Sequence, residues 1–90
     1  MAKIKFTSAL SRFFPGLGEM EIAGRNVKDV VSAVEQKYPG IQDYLLEEDG
    51  SLRQHVNIFV KEELINDREK LSDQVNDSDE ILIYQALSGG

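Results

Sequence analysis

Residues 26–35 constrain this chain more than any other stretch. Val27, Val30, Val31 and Val34 recur at the i, i+3, i+4, i+7 spacing of one helical face, while Lys28, Asp29, Ser32 and Glu35 lie toward the other. Asn26 stands in the N-cap position, and Asp29 follows three residues later, a variant of the capping box near the positive end of the helix. Tyr38-Pro39-Gly40 ends the helix, because proline restricts the residue before it and breaks helical hydrogen bonding. β-Branched side chains lower intrinsic helix propensity, so a face built of valine forms helix with the help of tertiary packing. The helix needs a sheet to lie against.

The flanking sequence supplies one. Residues 3–10 alternate, with Ile4 and Phe6 on one side and Lys3, Lys5 and Thr7 on the other, as in a strand buried on one face. Pro15-Gly16 and Gly18 punctuate a loop, and at least one of Phe13 and Phe14 is expected to cover a core edge. Residues 19–24 alternate again with Met20 and Ile22 inward, so the first two strands pair as an antiparallel hairpin. After the helix, Ile41, Tyr44 and Leu45 suggest a short helical turn. Residues 54–61 form the most strand-like segment: Val56, Ile58 and Val60 face the core, and His55, Asn57, Phe59 and Lys61 face out, which predicts a centrally placed strand. Residues 62–79 read as a polar excursion anchored by Leu64, Ile65, Leu71 and Val75, the last two at helical spacing. Asp77-Ser78-Asp79 then turns into a last strand over 80–86, with Ile81 and Ile83 inward and Leu82 and Tyr84 outward. The order predicts an α+β domain over residues 1–86, one main helix packed across a mixed sheet, followed by a tail over 87–90. It is the order of the ubiquitin-like β-grasp.

Composition narrows the chemistry. Ninety residues leave room for one core, and a hydrophobic fraction of 41% argues for a folded domain. The net charge of -6 repels phosphate backbones and anionic lipid, which points away from nucleic acid and membrane and toward a partner with a basic surface. Without cysteine there is no thiolate nucleophile and no sulfur ligand for zinc, so any sulfur chemistry uses sulfur from outside. Glu47-Glu48-Asp49-Gly50 reads as a solvated turn rather than a metal site, and His55, the lone histidine, as a surface strand residue. No nucleophile–base pair or cofactor motif stands out, so the chain reads as a non-enzyme that binds no metal. Met1-Ala2-Lys3-Ile4-Lys5 lacks the apolar core of a secretory signal, and no apolar run has membrane-spanning length; the expectation is a soluble cytoplasmic protein.

The last strand runs into Leu87-Ser88-Gly89-Gly90. Glycine has no Cβ, so Gly89 and Gly90 fit a channel too narrow for a side chain. Fully extended at about 3.3–3.6 Å per residue, this tail carries the Gly90 carboxylate roughly 13 Å beyond the domain, within reach of another protein's active site. A frayed end is the plain alternative.

Taken together, Lys3-Ile4-Lys5-Phe6, Val27-Lys28-Asp29-Val30-Val31, Val56-Asn57-Ile58-Phe59-Val60, Asp79-Glu80-Ile81 and Gly89-Gly90 resemble the ThiS/MoaD family of ubiquitin-like sulfur carriers over nearly the whole length. Tyr38-Pro39-Gly40-Ile41 followed by His55 and the strand after it is most similar to the CysO-type carriers of cysteine biosynthesis and the longer MoaD-like proteins. Shorter ThiS proteins lack the insertion over roughly 40–52. The resemblance implies a protein substrate rather than a catalyst. An E1-like enzyme would use ATP and magnesium to adenylate the Gly90 carboxylate, and a sulfur donor would displace AMP to leave a thiocarboxylate; the carrier itself holds no cofactor. The implied partners are that activating enzyme and a sulfur-accepting synthase, either cysteine synthase-like or the large subunit of molybdopterin synthase. Leu87, Ser88 and Gly89 would thread the tail, and Phe59, Leu82 and Tyr84, together on the sheet face opposite the helix, would dock the partner. Asp79 and Glu80 either add charge at that rim or simply start the strand. Two other uses remain open: a protein modifier joined to lysines through Gly90, and a noncovalent β-grasp interaction module whose glycines are incidental.

Overall fold

The structure, a computed structural model, describes residues 2–6, 14 and 16–85. Its elements are β1 (Ala2–Phe6), β2 (Met20–Ile22), α1 (Val27–Lys37), α2 (Ile41–Leu45), β3 (Val56–Val60), β4 (Glu63–Leu64) and β5 (Glu80–Gln85). One sheet runs in the order β2-β1-β5-β3-β4. β1 is antiparallel to β2 and parallel to β5, while β3 is antiparallel to both β5 and β4, so the sheet is mixed as expected. The middle place belongs to β5 rather than β3. β3 is nonetheless interior, because the two-residue β4 pairs along its outer side.

The valine face is fully used. Val27, Val30, Val31 and Val34 are all buried and share one core with Ile4, Ile22, Val56, Ile58, Ile81 and Ile83. Burying each valine is worth about 1.5–3 kcal/mol against a helix-propensity cost below roughly 0.7 kcal/mol per residue, so packing decides. The first four N–H groups of α1 are each satisfied. Val27 and Lys28 donate to the carbonyls of Asp73 (3.0 Å) and Leu71 (2.9 Å), Asp29 to Asn26 Oδ1 (2.8 Å), and Val30 to the Asn26 carbonyl (3.2 Å). At the other end Tyr38 donates back to the Val34 carbonyl, and Gly40, with φ 101°, turns the chain into α2. Glu35 secures that corner, its carboxylate accepting from Gly40 N and Gln42 N, both at 2.9 Å. Ahead of the helix the chain passes so close that a Cβ on Gly24 would lie 2.9 Å from Val30 Cγ2.

Residues 65–79 wrap the N-terminus of α1. Ile65, Leu71 and Val75 are buried, but the helical spacing of the last two does not signal a helix: Leu71 takes φ 57°, and Asn26 and Gln74 form a β-bridge. Side chains hold the segment instead. Asp67 accepts from Ser72 Oγ and from the N–H groups of Lys70 and Glu69, and Asp73 accepts from Asn66 N and Asp67 N. The Arg68 guanidinium reaches back to the carbonyls of Arg53 (2.7 Å) and Val56 (2.8 Å) and to Asn57 Oδ1 (3.1 Å).

Smaller expectations also resolve. Met20 is half-buried against the core rather than enclosed by it, while Phe14 packs on the core with its ring edge-on to Tyr44, centroids 5.4 Å apart. Glu47 pairs with Arg53 at 3.0 Å, and Asp49 accepts from Ser51, so these carboxylates close their own loop. Phe13, residues 7–10 of the first expected strand and Ala86 lie outside the described residues.

Candidate functional site

Alternation along β5 separates two surfaces. Ile81 and Ile83 are buried in the core, whereas Leu82 and Tyr84 point away from it and are 37% and 44% exposed. Register then builds a row across the outer face. Phe59 lies directly opposite Leu82, Leu64 pairs with Phe59 from the other side, and Lys5 of β1 pairs with Leu82. Leu64, Phe59, Leu82 and Lys5 therefore cross four strands in line. Tyr84, opposite Asn57, stands two residues farther along. Phe59, Leu82 and Tyr84 lie on the face that sequence alternation assigns them, but Leu64 is not an anchor like Ile65, Leu71 and Val75: at 53% it is the most exposed large apolar side chain among the described residues and extends this row. Its signal lay in the hairpin after β3, whose turn residues Lys61 and Glu62 are not the asparagine and glycine that mark such turns.

A groove of ≈ 330 Å³ runs beside this row, lined by Lys5, Phe59, Glu62, Glu80, Ile81 and Leu82. Its charges are unequally engaged. Lys3 and Lys5 lie 3.2 and 3.7 Å from the carboxylate of Glu19, whereas Glu62 and Glu80 are exposed and enter no ion pair among the described residues. Asp79 is not a rim charge. It is 2% exposed, its Oδ2 accepts from Asn76 N at 2.8 Å, and its carbonyl accepts from Lys3 N at 3.0 Å, so it builds the turn that starts β5. Asp79 Oδ1 accepts no hydrogen bond, although Lys61 Nζ lies 3.4 Å away; the contact is one of charge without hydrogen-bond direction.

His55 is half-buried, with its Nε2 3.4 Å from Nε2 of Gln85 at the end of β5. The carboxylates held below their usual range, Glu35, Asp49 and Asp67, line no part of the groove; hydrogen bonds from Gly40 and Gln42, from Ser51, and from Ser72 and Lys70 are the respective main causes. Leu87, Ser88, Gly89 and Gly90 lie outside the described residues. No helix of the described residues is long and apolar enough to cross a membrane. What this face offers is contact: an apolar row with charge at its edge.

Known proteins share the fold. A family model described as ThiS family matches residues 13–90. None of the curated proteins matches the chain. Among solved structures, a chain of the Amycolatopsis orientalis BexX/CysO complex is 25% identical with a TM-score of 0.86, and 100% of each chain is covered. Mycobacterium tuberculosis CysO is 25% identical with a TM-score of 0.84, covering 97% of this chain and 100% of that one. The small archaeal modifier protein 1 of Methanosarcina acetivorans is 29% identical with a TM-score of 0.80, covering 99% and 95%. The mixed sheet with its crossing helix is the ubiquitin-like β-grasp fold.

Proposed function

The chain belongs to the ThiS family, and from that premise we propose that it is a sulfur carrier activated at the carboxylate of Gly90. An E1-like enzyme, using ATP and magnesium, joins a Gly90 carboxylate oxygen to the α-phosphorus of ATP and releases pyrophosphate. Sulfide released from a sulfur donor then attacks the acyl carbon, AMP leaves with the oxygen it had bonded, and a thiocarboxylate remains. The carrier contributes the tail and the docking face; the chemistry is its partners' own. The observation that carries the proposal is the family match, which continues through Leu87, Ser88, Gly89 and Gly90. The outward-facing row of exposed Leu64, half-buried Phe59 and exposed Leu82, with Tyr84 beside it, supports docking on a partner while the tail enters the active site. The partners are the E1-like enzyme and a sulfur-accepting synthase. That synthase is either cysteine synthase-like or the large subunit of molybdopterin synthase.

Intact-protein mass spectrometry tests this directly. The chain is incubated with the E1-like enzyme of its host, ATP, magnesium and a sulfur donor, beside a variant lacking Gly90. The expected result is a mass gain equal to exchanging one oxygen for sulfur, absent from the truncated variant. If neither adenylate nor thiocarboxylate forms while the enzyme acts on a control carrier, the carrier proposal fails and a noncovalent module takes its place. A second reading, conjugation of Gly90 to lysines, has one observation in its favour, the 29% identity to a small archaeal modifier protein. Lysine-linked adducts recovered from cells, lost on deletion of Gly90, would establish it.

A further inference from the structure

Two short segments meet at one end of the exposed face. One is the turn Lys61-Glu62, which leaves β3, and the other is Asp79-Glu80, which enters β5. Val60 lies opposite Ile81, and Lys61 N donates to the Glu80 carbonyl at 3.0 Å, so the two segments run side by side. Their first residues face each other: Lys61 Nζ lies 3.4 Å from Oδ1 of Asp79, an oxygen that is buried and accepts no hydrogen bond. Their second residues, Glu62 and Glu80, both line the groove.

The turn needs support. Lys61 and Glu62 take φ 54° and 70°, a left-handed pair that glycine and asparagine occupy readily and other residues rarely. A carboxylate buried without a counter-charge is costly, so Asp79 favours the turn geometry that brings the Lys61 ammonium to it. The same geometry presents Glu62 beside Glu80. Of the groove's charged residues, Lys5 is already engaged by Glu19, whereas the two glutamates enter no ion pair among the described residues. An apolar floor of Phe59 and Leu82 under uncommitted carboxylates suits an aliphatic side chain adjoining a cation and penalises an acidic one.

We infer that the Lys61–Asp79 pair is a staple that fixes Glu62 and Glu80 as the acidic rim of the groove, which receives a partner segment carrying an apolar side chain next to a lysine or arginine. Lys61 and Asp79 act as positioning residues. The identity of the partner as the activating enzyme rests on the carrier reading above.

Three variants test the inference. Lys61→Met keeps the aliphatic stem and removes the charge, Lys61→Arg restores the charge, and the double variant Glu62→Lys, Glu80→Lys reverses the rim. Each is assayed for the KM of the carrier in adenylation by the E1-like enzyme, and the free proteins are compared by two-dimensional amide NMR. Lys61→Met is expected to raise KM about 5-fold and the rim reversal about 10-fold or more, with the reversed variant binding better as salt rises instead of worse. In the spectra, Lys61→Met is expected to move the amides of Glu80, Leu82 and Phe59, and Lys61→Arg to return them toward wild type. Unchanged KM in Lys61→Met or in the rim reversal overturns the inference, as do spectral changes confined to residues 60–63. If the enzyme does not adenylate even the wild-type chain, the carrier reading fails, and the NMR comparison alone decides the staple.

Discussion

β5 and residues 65–79 both close over the core, and they do so by different physics. β5 buries Ile81 and Ile83 by strict alternation and hydrogen-bonds along both sides, to β1 and β3. Residues 65–79 bury Ile65, Leu71 and Val75 at irregular intervals and fix the backbone between them with side chains: Asp67 and Asp73 accept N–H groups, and Arg68 donates to carbonyls. The strand's contribution is burial, which does not titrate. The wrapped segment also depends on the ionised carboxylate of Asp67, which its hydrogen bonds hold below the usual range, so its hold on the helix N-terminus weakens in acid.

The largest effect is expected on the strand. Ile83→Ala removes atoms from a fully buried site and should cost roughly 2–5 kcal/mol in urea unfolding, by the same amount at neutral and acid pH. Arg68→Met should cost about 1–3 kcal/mol, because the carbonyls of Arg53 and Val56 lose a donor in a partly buried place. If Arg68→Met proved as costly as Ile83→Ala, the distinction between the two regions would not hold. Asn26→Ala, at the junction where the wrapped segment meets the helix, should cost about 1 kcal/mol, since it removes one acceptor while the Asp73 and Leu71 carbonyls still serve Val27 and Lys28.

The same contrast explains what could be read from sequence. The α1 helix, its Asn26 cap, and the inward and outward residues of β3 and β5 follow from period and local chemistry, which survive in a linear string. The Leu64 end of the exposed row did not, because it depends on a tight turn made by Lys61 and Glu62 without the usual turn residues. Leu71 and Val75 lay at a helical spacing by coincidence; two anchors do not define a period. Asp79 reads alike in sequence whether it faces solvent or supports a turn from inside. Glu35 looks like any exposed helical carboxylate, and only the path of the chain past Pro39 brings Gly40 N and Gln42 N to it. Nothing in the local string specifies such partners, since they are set by where distant segments cross.

The smallest expected effect is also the sharpest test of the contrast. Asp67 is lowered from its usual 3.8 to about 2, chiefly by the Ser72 hydroxyl and then by the Lys70 N–H. A carboxyl whose folded value is depressed releases its proton more readily in the folded state, so it stabilises the fold fully above 3.8. That contribution disappears as pH falls from 3.8 through about 2, because the folded state must then take up the proton it had excluded. Wild-type stability should therefore decline across this window, and Asp67→Asn, which cannot titrate, should decline less steeply after starting from a lower value. Urea midpoints measured at intervals from about pH 5 to pH 2 give both slopes, with Ile83→Ala expected to run parallel to wild type throughout. Equal slopes for Asp67→Asn and wild type would mean that Asp67 does not hold the wrapped segment through its charge. A shallower slope in Asp67→Asn alone would place part of the acid sensitivity of the domain in residues 65–79, and not in the strand beside it.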